Sequence, residues 1–325
     1  MILESLVKEF EKTKSHRAVR VFHGPGIHPV REELHNLAID RFNDHYWVHY
    51  WASESHQTLS DGLRTLLIQF FRMIKAESAV LSIRPFRGSP EPPSLLKGLE
   101  MPAPFVVEEH TGVKVEIHFK DMRHPGLFLD HSPLREWLVH NSKGKTVLNT
   151  FSYTGSLSVA AALGGAKQVT TLDLSKVTLE WAKRNAEING FEKIMNEYYA
   201  QDFFEFQKRW SKSNKKWDIV ILDPPSFSRS KNGTFSTKKD LLKLHFAALG
   251  LLAQDGVLIT SINSENITRE FYFDEISETA RQADAEIRIL GEIHQPDSFP
   301  VNAKMPETAY LKGWILKVKF LGRKK

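Results

Sequence analysis

The chain has 325 residues, of which 41% are hydrophobic and 26% charged, an ordinary globular composition that excludes long disorder, collagen and coiled coil. At about 150 residues per domain, this length points to two domains. Forty-four Lys and Arg against 39 Asp and Glu leave a net charge of +5, compatible with a polyanionic partner without proving one. No run approaches the roughly 18 consecutive apolar residues of a membrane helix. The segment Met1 to Phe10 carries acids where a signal peptide has its apolar core, so a cytoplasmic protein is expected. The chain contains no cysteine, which removes disulfides, thiolate metal sites and thiol nucleophiles together. Fourteen histidines show no recognisable metal-ligand spacing, and no metal is expected.

In the first third, Tyr46–Trp51 is aromatic and β-branched and reads as a strand. Ser60 is a candidate N-cap for a helix from Leu63 to Lys75, and Ala79–Ile83 reads as a second strand. Pro85 to Pro104, rich in Pro and Gly, reads as a connecting loop. Two apolar runs, 105–109 and 113–119, flank His110-Thr111-Gly112 as a hairpin. These features place a smaller α+β domain at 1–104 and a second domain at 105–325, entered through the hairpin at 105–119.

From Lys145 the rhythm changes. Strands are expected at Thr146–Phe151, Gln168–Asp173, Asn196–Asp202, Trp217–Asp223 and Gly256–Ile262. Helices alternate with them, up to Leu163, from Val177 to Asn189 with Gly190 as the stop, through Trp210, and from Leu241 to Ala253. The alternation means βαβ units and a mostly parallel sheet covered on both faces. Ala285–Ile293 and Ala309–Phe320 add two strands with no helix between them. A parallel sheet ending in such an antiparallel pair resembles the seven-stranded, Rossmann-like layout of class I methyltransferases.

Ligands of open α/β sheets bind beyond the carboxyl ends of the strands. After the first strand comes Phe151-Ser152-Tyr153-Thr154-Gly155-Ser156, where Gly155 lets backbone approach a ligand. A single glycine equally marks a tightly packed helix start, and the three-glycine dinucleotide fingerprint is missing. Asp173 stands near the separation, roughly 20 residues, at which a carboxylate meets ribose hydroxyls, or it caps the next helix. It suits NAD and S-adenosylmethionine alike. Asp202 and Phe203 could meet an adenine, though Asp202 reads at least as well as a helix cap. The sharpest signal is Asp223-Pro224-Pro225-Ser226-Phe227. Two prolines have no N–H and cannot continue a central strand, so the carbonyls there stay free and Phe227 is placed to stack.

Longer motifs carry a family resemblance. Gly126 to His131, Leu148 to Ser156, Leu179 to Asn185 and Asp223 to Lys231, together with Ala38 to Phe42, resemble the large-subunit ribosomal RNA methyltransferases that modify guanine N7 or cytosine C5. The likeness runs from about Arg20 to the end and is greater to the guanine-N7 branch. It implies that S-adenosyl-L-methionine is held by Phe128, Asp130, Asn149, Phe151, Ser152, Tyr153, Thr154 and Gly155. Asp173, Leu174, Ser175, Asp202 and Phe203 would complete that site. Two places depart from the pattern: Ser132 stands where relatives often have Arg, and Ser261-Ile262-Asn263-Ser264 matches neither branch.

Cytosine C5 methylation uses a cysteine thiolate added to C6, a route closed to a chain without cysteine. Guanine N7 has an in-plane lone pair and needs mainly alignment, which can contribute about 7–11 kcal/mol. The expectation is therefore methyl transfer to a base nitrogen of RNA, guanine N7 first, with an exocyclic amine as alternative. Asp223, Pro224, Pro225 and Phe227 would act on the base, and Arg229, Lys231, Lys238 and Lys239 on phosphates. Lys208 to Lys216 and the terminal Arg323 to Lys325 are further candidates. A non-catalytic RNA-binding assembly factor and an NAD-dependent oxidoreductase remain as other classes.

Overall fold

The structure, a computed structural model, describes residues 2–25, 32–88, 91–98, 100–120, 124–230, 233–264 and 267–322. It divides into two compact units, Met1–Asp130 with Pro296–Thr308, and His131–Gln295 with Ala309–Lys325.

The first unit holds α1 (Ile2–Thr13), β1 (Ala18–His23), α2 (Glu32–His35), β2 (Leu37–Phe42), β3 (His45–Trp51), α3 (Asp61–Met73), β4 (Ser78–Arg84) and β5 (Ser94–Lys97). The sheet order is β1-β2-β3-β4-β5. Strands β3 and β4 pair in parallel because α3 supplies the crossover that a parallel pair requires. As expected, Ser60 caps α3, its side chain accepting from the Leu63 amide at 3.2 Å. The helix ends at Met73, short of Lys75, which turns left-handed at φ 55°. The segment read as a plain loop contains β5, paired antiparallel with β4; four residues are too few for a periodic signal.

Alternation assigns the two faces of this sheet. Leu37, Ile39, Tyr46, Val48 and Tyr50 join Leu6 of α1 and Leu67, Phe70 and Phe71 of α3 in one core. The intervening Asp40 and His49 point the other way, where Arg20 reaches them. Arg20 donates through Nε to Asp40 Oδ1 at 2.7 Å and through Nη2 to Oδ2 at 2.9 Å, with His49 Nε2 2.8 Å from Oδ2. Burial alone would raise the Asp40 carboxyl, but Arg20 and His49 outweigh it and hold it below the usual range. Arg20 also reaches His23 Nδ1 at 2.9 Å, and the Phe299 ring lies 4.1 Å from its guanidinium. Removing one member of such a buried pair costs about 3–5 kcal/mol.

The hairpin β6 (Phe105–Glu108) and β7 (Lys114–Ile117) forms as expected. It groups with the first unit, however, so the division lies after Asp130 rather than after residue 104. The cause is aromatic packing. Phe119 sits edge-on to Trp47 at 5.2 Å, Phe105 packs on His45 at 4.4 Å, and the Asn43 side chain donates to the Val106 carbonyl. These contacts are long-range, and no local pattern announces them.

The second unit contains α4 (Ser132–Asn141), β8 (Thr146–Thr150), α5 (Ser156–Leu163), β9 (Gln168–Asp173), α6 (Lys176–Asn189), β10 (Glu197–Ala200), α7 (Phe203–Trp210) and β11 (Trp217–Leu222). There follow the short antiparallel pair β12 (Phe227–Ser230) and β13 (Gly233–Ser236), then α8 (Thr237–Leu249), β14 (Leu252–Ile262), α9 (Arg269–Gln282), β15 (Ala285–Ile293) and β16 (Lys312–Phe320). The seven-stranded sheet runs β10-β9-β8-β11-β14-β16-β15, with β16 antiparallel to both neighbours. This is the expected α/β fold. Helices α4, α5 and α6 pack as one group and α7, α8 and α9 as another. The latter bury Phe206, Leu241, Leu244 and Tyr272 against Leu148, Val220 and Leu258 of the sheet.

Two buried histidines are held uncharged. Burial pushes the His245 imidazole down to about 3, and burial with the Arg20 charge does the same to His23. An unfolded histidine titrates near 6.5, so between about 6.5 and 3 the unfolded chain binds protons that the folded one refuses. Stability is therefore complete above that window and falls as pH drops through it, as also expected from Asp40 at its lower end. Denaturant midpoints measured from pH 7.5 to 5 should fall, and His245→Gln should flatten the slope.

Candidate active site at the strand ends

Sheet register brings the site together. Thr150 at the end of β8 pairs with Leu172 of β9 and Leu222 of β11, and Leu222 pairs with Thr260 of β14. The next residues, Phe151, Asp173, Asp223 and Ser261, follow across four neighbouring strand ends, with adjacent strands about 4.8 Å apart. Strand order reverses between β8 and β11, where such sheets bind ligands.

The loop after β8 is bent sharply. Phe151, Tyr153 and Gly155 all have positive φ, at 54°, 52° and 75°. Two of the three are not glycine, a conformation that surrounding structure must enforce. The Ser152 amide donates to Leu172 O at 3.0 Å, the Tyr153 amide to Asp173 Oδ2 at 2.8 Å, and the buried Asn185 side chain to Thr154 O at 2.9 Å. A Cβ on Gly155 would sit 2.9 Å from that of Ala182 in α6. Asn149 Nδ2 donates to Ser158 Oγ at 3.0 Å. Its Oδ1 and the Ser152 hydroxyl are buried without a hydrogen-bond partner among the described residues, a need that a polar ligand can meet.

Asp173 proves to be an organiser of this loop. Besides Tyr153, it accepts from the Ser175 amide at 2.9 Å and the Thr178 hydroxyl at 3.3 Å. Burial raises its carboxyl and these donors partly restore it. Ser175 caps α6, accepting from the Thr178 amide at 3.3 Å, so the duty of cap is shared as the sequence allows. Asp202 caps α7 through Oδ1, which accepts from the Phe204 and Glu205 amides. Phe203 is only 3% exposed and packs under Phe151, ring centroids 5.7 Å apart. It is a core residue, and the apolar surface beside Asp173 is instead Leu174, 50% exposed. Phe128 and Asp130 belong to the first unit, where Phe128 meets His124 at 5.1 Å and Asp130 is buried.

At the end of β11, Pro224 is buried and Pro225 exposed. The Asp223 side chain, 26% exposed, accepts at Oδ1 from the Ser261 hydroxyl at 2.7 Å, and His131 Nε2 lies 3.3 Å from the same oxygen. His131 and Ser261 were not foreseen as site residues. Their signals are the motif Gly126 to His131, which ends at the histidine, and the strand end at Ser261, which departs from the family pattern. Phe227 and Arg229 are placed on β12 by backbone alone, and Lys231 and the terminal Arg323 to Lys325 lie outside the described residues. Lys238 and Lys239 are exposed in the first turn of α8, where the helix dipole disfavours cations. Of the other basic cluster, Lys215 pairs with Glu197 at 2.5 Å, and Lys216 donates to the Ser211 and Gly250 carbonyls. Those two lysines are structural.

A left-handed loop that closes on a helix, buried polar atoms awaiting a partner and an exposed leucine beside a carboxylate fit an adenosyl amino acid. The family model described as S-adenosylmethionine-dependent methyltransferase matches residues 20–315. The chain belongs to this family. Its cofactor is S-adenosylmethionine and it is an enzyme, which sets aside the NAD-dependent alternative. Ribosomal RNA large subunit methyltransferase I of Aeromonas hydrophila is 30% identical over 294 residues, covering 88% of this chain and 72% of that protein. The protein of the same name from Aliivibrio fischeri strain MJ11 is 31% identical over 286 residues, with the same two coverages. The crystal structure of SMU.776 complexed with SAH superposes with a TM-score of 0.81 at 27% identity, covering 97% of this chain and 81% of that one. These names specify neither base nor atom, and the expected kinship to the guanine-N7 branch finds no support in them.

Gly155→Ala combines a strained φ with a close contact. It should weaken S-adenosylhomocysteine binding by at least about tenfold and lower the melting temperature, read by isothermal titration and thermal unfolding.

Proposed function

We propose that this methyltransferase acts on a nucleobase nitrogen in large-subunit ribosomal RNA, without a covalent enzyme–base intermediate. The observation that carries the reading is the Asp223-Pro224-Pro225 corner at the sheet's switch point, in a chain that has no cysteine. The named relatives support the RNA class. Bound S-adenosylmethionine would supply an electrophilic methyl group. The chain would supply position. Asp223 accepts an N–H of the base, the two prolines keep competing amides out, and Phe227 stacks on the ring. Guanine N7 rests on the motif likeness alone.

Asn149, Ser152 and the loop 151–155 would hold the cofactor's polar end, with Leu174 against its adenine. The carboxylates Asp173 and Asp202 act mainly by shaping their loops. Phe128 and Asp130 are proposed cofactor contacts on the resemblance alone. Arg229, Lys231, Lys238 and Lys239 would meet phosphates, and the cost of placing cations at a helix N-terminus argues for such a use. Among the described residues no helix is long and apolar enough to cross a membrane; a ribosomal substrate would place the protein in the cytoplasm.

Mass mapping of large-subunit rRNA from a strain lacking this protein should show one base short of one methyl group. Wild type should restore it and Asp223→Ala should not, with turnover in vitro reduced about a hundredfold or more at unchanged S-adenosylhomocysteine affinity. An rRNA of unchanged mass would sink the proposal. Charge reversal at Lys238 and Lys239 should weaken RNA binding and lessen its salt dependence by about one unit of slope per residue.

A further inference from the structure

At the Asp-Pro-Pro corner one of the two oxygens of Asp223 is already committed. The Ser261 hydroxyl donates to Oδ1 at 2.7 Å, and His131 Nε2 stands 3.3 Å from that oxygen and 3.5 Å from the hydroxyl. Oδ2 takes no hydrogen bond from the described residues. Both partners are rigidly set. Ser261 is fully buried in the ladder between β11 and β16, opposite Gly313, whose missing side chain lets the strands close at that point. His131, 5% exposed, is the residue from which α4 starts.

A carboxylate on a single free χ angle pair can turn either oxygen outward. Loading one oxygen with a buried donor removes that freedom before any substrate arrives. We propose that Ser261 and His131 are positioning residues that pin Asp223 through Oδ1, so that Oδ2 is the one oxygen presented to the base. This inference rests on the reading of Asp223 as the base-contacting group. Its chemistry follows directly. A carboxylate with both oxygens available can grip two adjacent N–H groups in a fork, one on each oxygen, whereas here the base meets Oδ2 alone. Ser261 and His131 stand against Asp223, the group that meets the base, so their effect belongs to turnover and not to cofactor affinity.

The test uses the full chain, methyl-labelled S-adenosylmethionine, and large-subunit rRNA from a strain lacking the protein. Ser261→Ala should lower kcat about tenfold with S-adenosylhomocysteine affinity and the KM for RNA held within about twofold. Ser261→Thr, which keeps the hydroxyl, should recover most of the rate. His131→Gln, which keeps an N–H donor, should stay nearer wild type than His131→Ala and serves where Ser261 variants fail to fold. A wild-type rate for Ser261→Ala and His131→Ala overturns the proposal. So does a loss of cofactor affinity parallel to the loss of rate, or the absence of rescue by both conservative variants. Asp223→Ala is measured alongside: if it remains active, the base-contact reading itself fails, whereas an inactive Asp223→Ala with an unimpaired Ser261→Ala removes only the positioning role.

Discussion

A parallel strand leaves its sheet through a connection to one face or the other. At β8 the following helix, α5, belongs to the group with α4 and α6, and at β11 the following helix, α8, belongs to the group with α7 and α9. The two connections diverge, and the gap between them is the place where neither loop is covered by the next helix. Everything assigned to the site hangs on that divergence. It leaves the bent backbone after Thr150 and the proline corner after Leu222 facing a common space, and register adds Asp173 and Ser261 on either side.

Strain and order in this space are linked. Phe151 and Tyr153 hold left-handed conformations at some cost, of order 1–3 kcal/mol each. The cost is met locally by the Asp173 carboxylate, which gathers donors from three residues, and by Asn185, which reaches the loop from α6. The loop is thus built in its bent form by the same aspartate that the sequence offers as a ribose ligand. At the other end of the gap a serine hydroxyl donates to one oxygen of Asp223.

Most elements of the second unit were legible because helix and strand periods alternate there without interruption, and Ser60, Gly155, Gly190 and the double proline mark boundaries with specific backbone demands. Helices α1, α4 and α9 and strands β1 and β2 are not assigned from the sequence either, and the rest of what escaped was non-local. Strand β5 has four residues and lies in a Pro-rich stretch. The hairpin β6–β7 was assigned to the wrong unit because its allegiance is decided by Phe105 and Phe119 meeting aromatic residues some 60 to 70 positions earlier. Phe203 packs in the core beneath Phe151, a burial that its neighbours in sequence do not announce. Ser261 and His131 are 130 positions apart. Only pairing of β11 with β14 brings the serine to Asp223, and no spacing rule anticipates it.

The first unit is discontinuous: Pro296–Thr308, between β15 and β16, is part of it. Phe299 on that excursion supplies the ring over the Arg20 guanidinium and packs against His23 at 5.4 Å. During synthesis the strands that carry Arg20, Asp40 and His49 emerge early, but the lid of their charged cluster is translated only after nearly all of the second unit. The amino-terminal unit is therefore the first to leave the ribosome and among the last to be completed, so that maturation of one half of the molecule waits on delivery of the other.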